Sequence, residues 1–219
     1  MSNKGDHRFV TPLGKRPEND TRLSAWDWTS GEKMANSATY HGLYPNSWWT
    51  YPPTKDQPAN ITVKQYSPFI KGDAETSSLP VFIREVTLEN PTDKPLDASI
   101  MFSMPNIAGW KLEGDPKREK YSRFAKTSKG QSNEIREGNR MVGVVMGSDN
   151  QEDKRLAGQV ALLAEKQSGV SISYFSAFDA QGSGAEVWKT FAENGTLSNQ
   201  KAIRSDGKEQ AGAVSHNGK

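Results

Sequence analysis

The sequence predicts an all-β protein, an antiparallel β-sandwich with one short helix near residues 184–194. Short runs rich in β-branched and aromatic residues alternate between apolar and polar positions, which is typical of strands with one buried face. Turn formers such as Asn90, Pro91 and Asp93 separate these runs. The length of 219 residues fits one large all-β domain, which usually has roughly 200 to 250 residues.

A polar loop lies between two predicted strands near the middle of the chain. Residues 61–66 alternate, and Pro68 ends that run because proline offers no N–H to a strand ladder. After the loop, Leu79-Pro80 returns the chain to an extended form, and residues 81–88 form the second predicted strand. The loop itself carries two acidic residues, Asp73 and Glu75, beside two serines.

The clearest alternation in the chain covers residues 98–104. One predicted face, directed at the core, holds Ala98, Ile100, Phe102 and Met104, and the other holds Ser99, Met101 and Ser103. A turn-forming linker of hairpin length, residues 90–95, precedes this strand. We therefore expect it to pair antiparallel with residues 81–88, and we expect Phe102 to be buried.

Residues 1–21 are polar and broken by proline and glycine, so we predict a flexible arm there and one domain over residues 22–219. Residues 109–139 are charged and glycine-containing, which predicts a long excursion with at most marginal structure. Further strands are expected at residues 141–146, 159–164, 170–174 and from 211 onward. Ser183 and Glu186 have capping-box spacing, and the helix that they would open should end at Gly195.

Composition excludes several functions. The 28 basic and 26 acidic residues nearly balance, which does not favour nucleic acid or an anionic membrane as a partner. The chain has no cysteine and three scattered histidines, so we expect no metal site and no cofactor. No apolar run is long enough for a signal peptide or a transmembrane segment, which predicts a cytoplasmic protein.

Two groups of residues are candidates for binding. Aromatic residues crowd positions 40–51, and Trp48, Trp49 and Tyr51 are candidate carbohydrate contacts because exposed rings can stack on a sugar. The alternative is that these rings fill the core. Asp73 and Glu75 are candidates to line a groove, and the alternative is that they are solvated residues that cap local backbone groups.

Several short segments of the sequence resemble those of a known family. In chain order they are YHGLYPNSWWTY, QYSPFI, SSLPV, VTLEN, SIMFSMPN and VWKTFAENGTL. Together they resemble the N-terminal domain of glycoside hydrolase family 116, which includes non-lysosomal glucosylceramidase, or bile-acid β-glucosidase, and microbial β-glucosidases. The resemblance implies a β-sandwich followed in the family by a catalytic (α/α)6 toroid, with the chain here being a part of such an enzyme.

The resemblance also implies where catalysis takes place. The family's nucleophilic Glu and acid/base Asp belong to toroid motifs that these residues lack, so no catalytic residue is assigned and the chain alone is predicted to be inactive. Its expected partner is the toroid, and β-glucosides are expected to reach it through the parent enzyme. The alternatives are a free-standing carbohydrate-binding module and an independent hydrolase with its own carboxylate pair.

Overall fold

The computed structural model describes residues 38–55, 57–109, 111–113, 123–125, 130–149, 154, 157–179, 185–201 and 210–218. Within these residues the chain forms twelve strands and two helices, and the strands in every sheet pair antiparallel. The predictions of an all-β fold and of a helix near residues 184–194 are confirmed. The predicted arm at residues 1–21 and Ser183 of the predicted capping box lie outside the described residues.

The chain divides between Leu96 and Asp97 into two compact units, which we call unit 1 (residues 38–96) and unit 2 (residues 97–218). Unit 1 is a four-stranded antiparallel sheet whose strands follow the order of the sequence. They are β1 (Thr39–Leu43), β2 (Asn46–Tyr51), β3 (Asn60–Tyr66) and β4 (Ile83–Glu89). A single helical turn, α1 (Ala74–Ser77), lies in the connection between β3 and β4.

The two faces of the unit 1 sheet differ in composition. Tyr51 and Ile61 are opposite each other on β2 and β3, and both are buried together with Ala59. Val63, Val86, Leu88 and Leu96 pack against them, so this face carries the core of unit 1. Because successive strand residues point to opposite faces, the other face presents Trp48, Thr62 and their neighbours, none of which is buried.

Unit 2 contains two three-stranded sheets, a two-stranded hairpin and a helix. Its elements are β5 (Ala98–Pro105), β6 (Lys111–Glu113), β7 (Arg123–Ala125), β8 (Gln131–Glu137), β9 (Met141–Ser148), β10 (Gly158–Glu165), β11 (Val170–Asp179), α2 (Ala185–Asn194) and β12 (Gln210–Gly218). One sheet has the order β10-β9-β8, the other has the order β11-β12-β5, and β6 pairs with β7. The strands expected near residues 141, 159, 170 and 211 are therefore present.

The β11-β12-β5 sheet of unit 2 is covered on both sides. Val214 on β12 packs with Val144 and Met146 on β9, which makes the two sheets a β-sandwich. The alternate β12 residues Ala211 and Ala213 pack on the opposite side, with Phe175 and Phe178 of β11, Val187 and Phe191 of α2, and Leu197. The helix thus forms a third layer over this sheet.

A β-bulge aligns the aromatic side chains beneath the helix. The register of β11 shifts between Phe175 and Phe178, so these two residues, three apart, lie on the same face. Their ring centroids are 6.1 Å apart at an interplanar angle of 79°, an edge-to-face contact. Helix α2 ends as predicted at Gly195, which has a φ of 67° and donates its N–H to the carbonyl of Phe191.

The expected pairing of residues 81–88 with residues 98–104 is wrong. In the described chain β4 pairs with β3, and β5 pairs with β12, the last strand. The prediction assumed that a short linker joins neighbouring strands of one sheet. Here the linker connects two compact units instead. Phe102 is also half-buried rather than buried, and both faces of β5 meet apolar clusters, because Met101 and Met104 pack on opposite sides.

The expectation of marginal structure over residues 109–139 is wrong for its second half. Residues 131–137 form the regular strand β8, which pairs with β9 over its whole length. Its buried positions are Gln131 and Asn133, whose amides are hydrogen-bonded inside unit 2. An apolar pattern cannot reveal a strand whose inward face is polar.

Candidate functional site

One end of unit 1 exposes an unusual amount of apolar surface, and we call it the apolar end. Its side chains come from the β1–β2 turn and from the connection between β3 and β4. They are Leu43, Tyr44, Phe69, Ile70, Leu79, Val81 and Phe82, and each is between 42% and 82% exposed. Soluble proteins rarely expose so many large apolar side chains at one end of a sheet without a partner or ligand, so this end is the candidate functional site.

A cavity of about 310 Å³ opens at the apolar end. Tyr44 and Phe69 form part of its wall, and their rings make an edge-to-face contact with centroids 5.7 Å apart. The remaining lining residues are Pro45, Ser47, Gln65, Tyr66, Ser67, Pro68, Ser77 and Phe82. The cavity is therefore rich in aromatic rings and, among the described residues that line it, contains no charged side chain.

Local hydrogen bonds hold the loop that forms one side of the cavity. The Ser77 hydroxyl accepts the N–H of Ile70 at 2.9 Å and donates to the carbonyl of Ile70 at 3.1 Å. The N–H of Asp73 donates to the same carbonyl at 3.0 Å. These hydrogen bonds connect the two ends of the segment that contains helix α1, so the loop has a defined backbone turn although several of its side chains are exposed.

The structure separates the three aromatic residues that the sequence singled out. Trp48 stacks on His41 at 5.1 Å between centroids with an interplanar angle of 12°, while Trp49 contacts Tyr40 at 4.8 Å on the opposite face of the sheet. Tyr51 is only 6% exposed, and burial raises the pKa of its hydroxyl. The three rings do not form one platform.

Trp48 lies in a row of polar and aromatic side chains that crosses the sheet. His41, Trp48, Lys64 and Glu85 occupy matched positions on β1 to β4, and the Lys64 ammonium lies 3.4 Å from the Glu85 carboxylate. The next row on this face consists of Thr39, Thr50, Thr62 and Thr87. The face thus offers hydroxyl groups beside an aromatic stack, with the charges paired.

Asp73 and Glu75 do not line the cavity in the described part of the chain, although Ser77 of the same loop does. Asp73 is the N-cap of α1, and its carboxylate accepts the N–H of Thr76 at 2.9 Å. This hydrogen bond lowers the pKa of Asp73. Glu75 is exposed in the first turn of the helix.

Neither a metal centre nor a membrane span is found in the described residues. No three His, Cys, Asp or Glu side chains there come together in a way that could hold a metal ion. The described helices are also too short and too polar to cross a bilayer.

Sequence reasoning missed Tyr44, Phe69 and Phe82 as members of the site. A signal was present, because Tyr44 and Phe69 each stand beside a proline, outside the alternating positions of a strand. Large apolar residues in loops have no core to fill, and they often mark a contact with another molecule.

The fold and the site are those of an all-β domain with an exposed apolar end and a small cavity. The described residues bring together no metal-binding cluster. The family comparison makes the assignment specific. A family model described as "beta-glucosidase 2, glycosyl-hydrolase family 116 N-term" matches residues 1–218. The chain belongs to this family of N-terminal domains, and the expected resemblance is confirmed. An N-terminal domain of such an enzyme implies a catalytic domain as its partner.

Proposed function

We propose that this chain is the non-catalytic N-terminal β-sandwich of a β-glucosidase or glucosylceramidase, which packs on the catalytic toroid and shapes its substrate entrance. The apolar end of unit 1 carries the proposal. Leu79 and Val81 there are 49% and 42% exposed, and they belong to a patch that water solvates poorly. A partner domain that covers this patch removes that cost.

The chemistry of glycoside hydrolysis supports a non-catalytic role for the site. A retaining glycosidase needs two carboxyl groups about 5 Å apart, one of them with a raised pKa so that it can donate a proton. Asp73, the acidic residue that caps the cavity loop, has a lowered pKa because it accepts the N–H of Thr76. It suits a structural cap better than a general acid.

The experiment measures association with a separately expressed family 116 toroid domain. The chain and the toroid are mixed, and the complex is quantified by analytical ultracentrifugation. Leu79→Ser combined with Val81→Ser is expected to weaken the complex, because these side chains leave water on docking. Both residues are exposed in the chain alone, so the substitutions should leave its thermal stability nearly unchanged.

A matched control comes from unit 2. Leu163 on β10 is 44% exposed, a fraction similar to those of Leu79 and Val81, but it belongs to unit 2 and not to the apolar end of unit 1. Leu163→Ser should leave the complex intact. If Leu163→Ser and the apolar-end variant weaken the complex equally, or if wild-type chain and toroid do not associate, the proposal is wrong.

A second candidate function is a free-standing carbohydrate-binding module, and the row around Trp48 favours it. Hydroxyl groups next to an aromatic ring are a common way to hold a neutral sugar, and the face that carries Trp48 and Thr62 has no buried residue. Under this hypothesis the isolated chain binds glucose or cellobiose.

Substitutions of two adjacent tryptophans distinguish the two candidate functions. Trp48 and Trp49 are neighbours in sequence, but they lie on opposite faces of the sheet. Calorimetric titration with cellobiose that gives a signal lost in Trp48→Ala and kept in Trp49→Ala would support the module. The absence of cellobiose binding is expected if the chain acts through a toroid.

A further inference from the structure

Strand β11 of unit 2 has a composition that favours pairing with another extended chain. It is an edge strand of the β11-β12-β5 sheet, because β12 is the one described strand that pairs with it. Residues 170–178 contain no charged residue, no proline and no glycine, and more than half of them are Val, Ile, Tyr or Phe. Long uncharged edges of this kind recruit other strands unless they are covered.

A short segment after helix α2, residues 197–200, lies along this edge, and we call it the strap. The side-chain oxygen of Asn199 accepts the N–H of Tyr174 at 3.1 Å. The carbonyl of Gln200 accepts the N–H of Ser176 at 3.2 Å and the hydroxyl of the same serine at 2.7 Å. Gln200 also forms an isolated parallel bridge to β11. The strap therefore occupies hydrogen-bonding positions that a neighbouring strand would use.

The first residue of the strap is anchored by burial. Leu197 is only 4% exposed and packs in the apolar cluster beneath helix α2. Its N–H donates to the hydroxyl of Ser173 on β11 at 2.8 Å. The Ser173 hydroxyl oxygen lies 2.6 Å from that of Ser215 on β12. The anchor thus connects the strap to two strands of the sheet.

The contact of the strap with Tyr174 depends on a residue with an unusual backbone. Asn199 has a φ of 56°, and no other non-glycine residue has a positive φ in the part of the chain that the structure describes. Asparagine tolerates this left-handed region better than most residues do. A β-branched residue at this position would strain the backbone and would also remove the acceptor for Tyr174. Asn199 is exposed, so its conformation serves the contact with β11 rather than core packing.

We propose that the strap is an internal cover for the edge of β11, and that this edge binds the same edge of a second copy of the chain when the strap is released. Two copies of β11 can pair antiparallel about a two-fold axis, which is the commonest symmetry of homodimers. The partner strand then accepts the N–H groups of Tyr174 and Ser176 in place of the strap. The inference concerns unit 2 and does not depend on the proposed function.

The test releases the strap with Asn199→Val and measures self-association by sedimentation equilibrium. The dimer association constant is expected to rise at least about tenfold over that of the wild-type chain, because hydrogen bonds to a partner strand replace those to the strap. Ser198→Val is the matched control, since Ser198 is also exposed but does not have a positive φ. It introduces the same side chain and should leave the association constant unchanged.

Amide hydrogen exchange locates the contact between the copies. The amides of Tyr174 and Ser176 should exchange at least about tenfold faster in dilute Asn199→Val than in the wild-type chain, and they should regain protection when the variant is concentrated. Leu197→Ser removes the buried anchor and should have the same effects. Thermal unfolding verifies that the variants are folded, and Asn199→Val should fold because Asn199 is exposed.

Three results would overturn the inference. The first is a folded Asn199→Val chain that associates no more strongly than the wild type or Ser198→Val. The second is unchanged protection of Tyr174 and Ser176 in the dilute variant. The third is association that protects another edge strand, such as β5 or β10, while these two amides continue to exchange rapidly.

Discussion

The side-chain amide of Asn106 donates to the carboxamide oxygen of Asn133 at 3.1 Å, and both residues are buried in unit 2. The same nitrogen donates to the carbonyl of Gly147 at 3.0 Å, while the Asn106 oxygen accepts the N–H of Ala108 at 3.0 Å. Asn133 in turn donates to the carbonyl of Ser176 on the facing sheet at 2.9 Å. These amides therefore connect both sheets of the sandwich.

We predict that Asn106→Asp is strongly destabilising. The change replaces the buried donor with an oxygen that faces two acceptors, and it buries an unpaired charge, at a cost of about 3 kcal/mol or more. The introduced carboxyl should have a raised pKa in the folded protein. The loss is therefore smallest below the carboxyl's unfolded pKa, and it grows as pH rises through the folded pKa.

Urea unfolding of Asn106→Asp at several pH values tests this prediction. Asn90→Asp is the control, because Asn90 is exposed and the new carboxylate can still accept the N–H of Thr92. It should change the free energy of unfolding by less than about 1 kcal/mol. A similar effect of the two substitutions would mean that the amide cluster does not stabilise the sandwich.

A second prediction concerns a tight contact between the two sheets of unit 2, where Gly212 faces Val144. A Cβ at Gly212 would lie 2.9 Å from Cγ1 of Val144, which is fully buried. Gly212→Ala should therefore destabilise the chain by about 1 to 3 kcal/mol through overpacking. At Gly158 no atom lies within 4 Å of the same position, so Gly158→Ala should be neutral or slightly stabilising in thermal unfolding.

A third prediction ranks residues in the sandwich core. Met146 is fully buried, and Met146→Ala should cost about 2 to 5 kcal/mol. Phe102→Ala should cost less, because the half-buried ring of Phe102 already contacts water. Ser103→Ala should be milder still. Denaturant unfolding of the three variants gives the order, and a Phe102 loss equal to that of Met146 would contradict it.

A fourth prediction concerns pH and the cap of helix α1. The carboxylate of Asp73 accepts the N–H of Thr76, and this hydrogen bond lowers the pKa of Asp73. The cap therefore stabilises the loop fully at pH values above the ordinary pKa of an aspartate. The stabilisation is lost as pH falls through the lowered pKa. The amide resonance of Thr76 should follow that titration in NMR spectra. Asp73→Asn should preserve the cap and remove the transition, since asparagine caps without titrating.

The sequence predicted the elements of the fold more successfully than their arrangement. Alternation located β3 and β5, and a short apolar run located β9, because each of these strands packs against a core. It could not identify β12 as the partner of β5, since pairing between strands over a hundred residues apart leaves no local pattern. Strand β8 was missed because its buried residues, Gln131 and Asn133, are polar. Their side-chain nitrogens donate hydrogen bonds inside unit 2, but in a sequence such residues look like exposed ones.

The candidate site was predictable only in part. The aromatic segment around Trp48 was visible, but strand alternation divides Trp48, Trp49 and Tyr51 between two faces, and only the sheet register shows which face carries the core. The cavity brings together the β1–β2 turn and the β3–β4 connection, so its composition emerges only when Tyr44 meets Phe69.

The last prediction is that the chain alone does not hydrolyse a β-glucoside and that adding a family 116 toroid gives an active complex. Family membership implies a catalytic domain as the partner of this one. Retaining hydrolysis needs two carboxyl groups about 5 Å apart, and we expect the catalytic domain to supply them. Release of 4-nitrophenol from its β-glucoside measures activity for the chain, the toroid and the mixture. Only the mixture should approach the rate of an intact enzyme.

The same assay tests the two loop carboxylates directly. Asp73→Asn and Glu75→Gln should leave the activity of the mixture within about threefold, since Asp73 caps α1 and Glu75 is exposed beside it. Leu79→Ser with Val81→Ser should lower activity at limiting toroid concentration, and excess toroid should restore it, because the change weakens assembly and not chemistry. Hydrolysis by the monomeric chain alone, abolished by Asp73→Asn or Glu75→Gln, would instead identify a complete enzyme with its carboxylates in this loop.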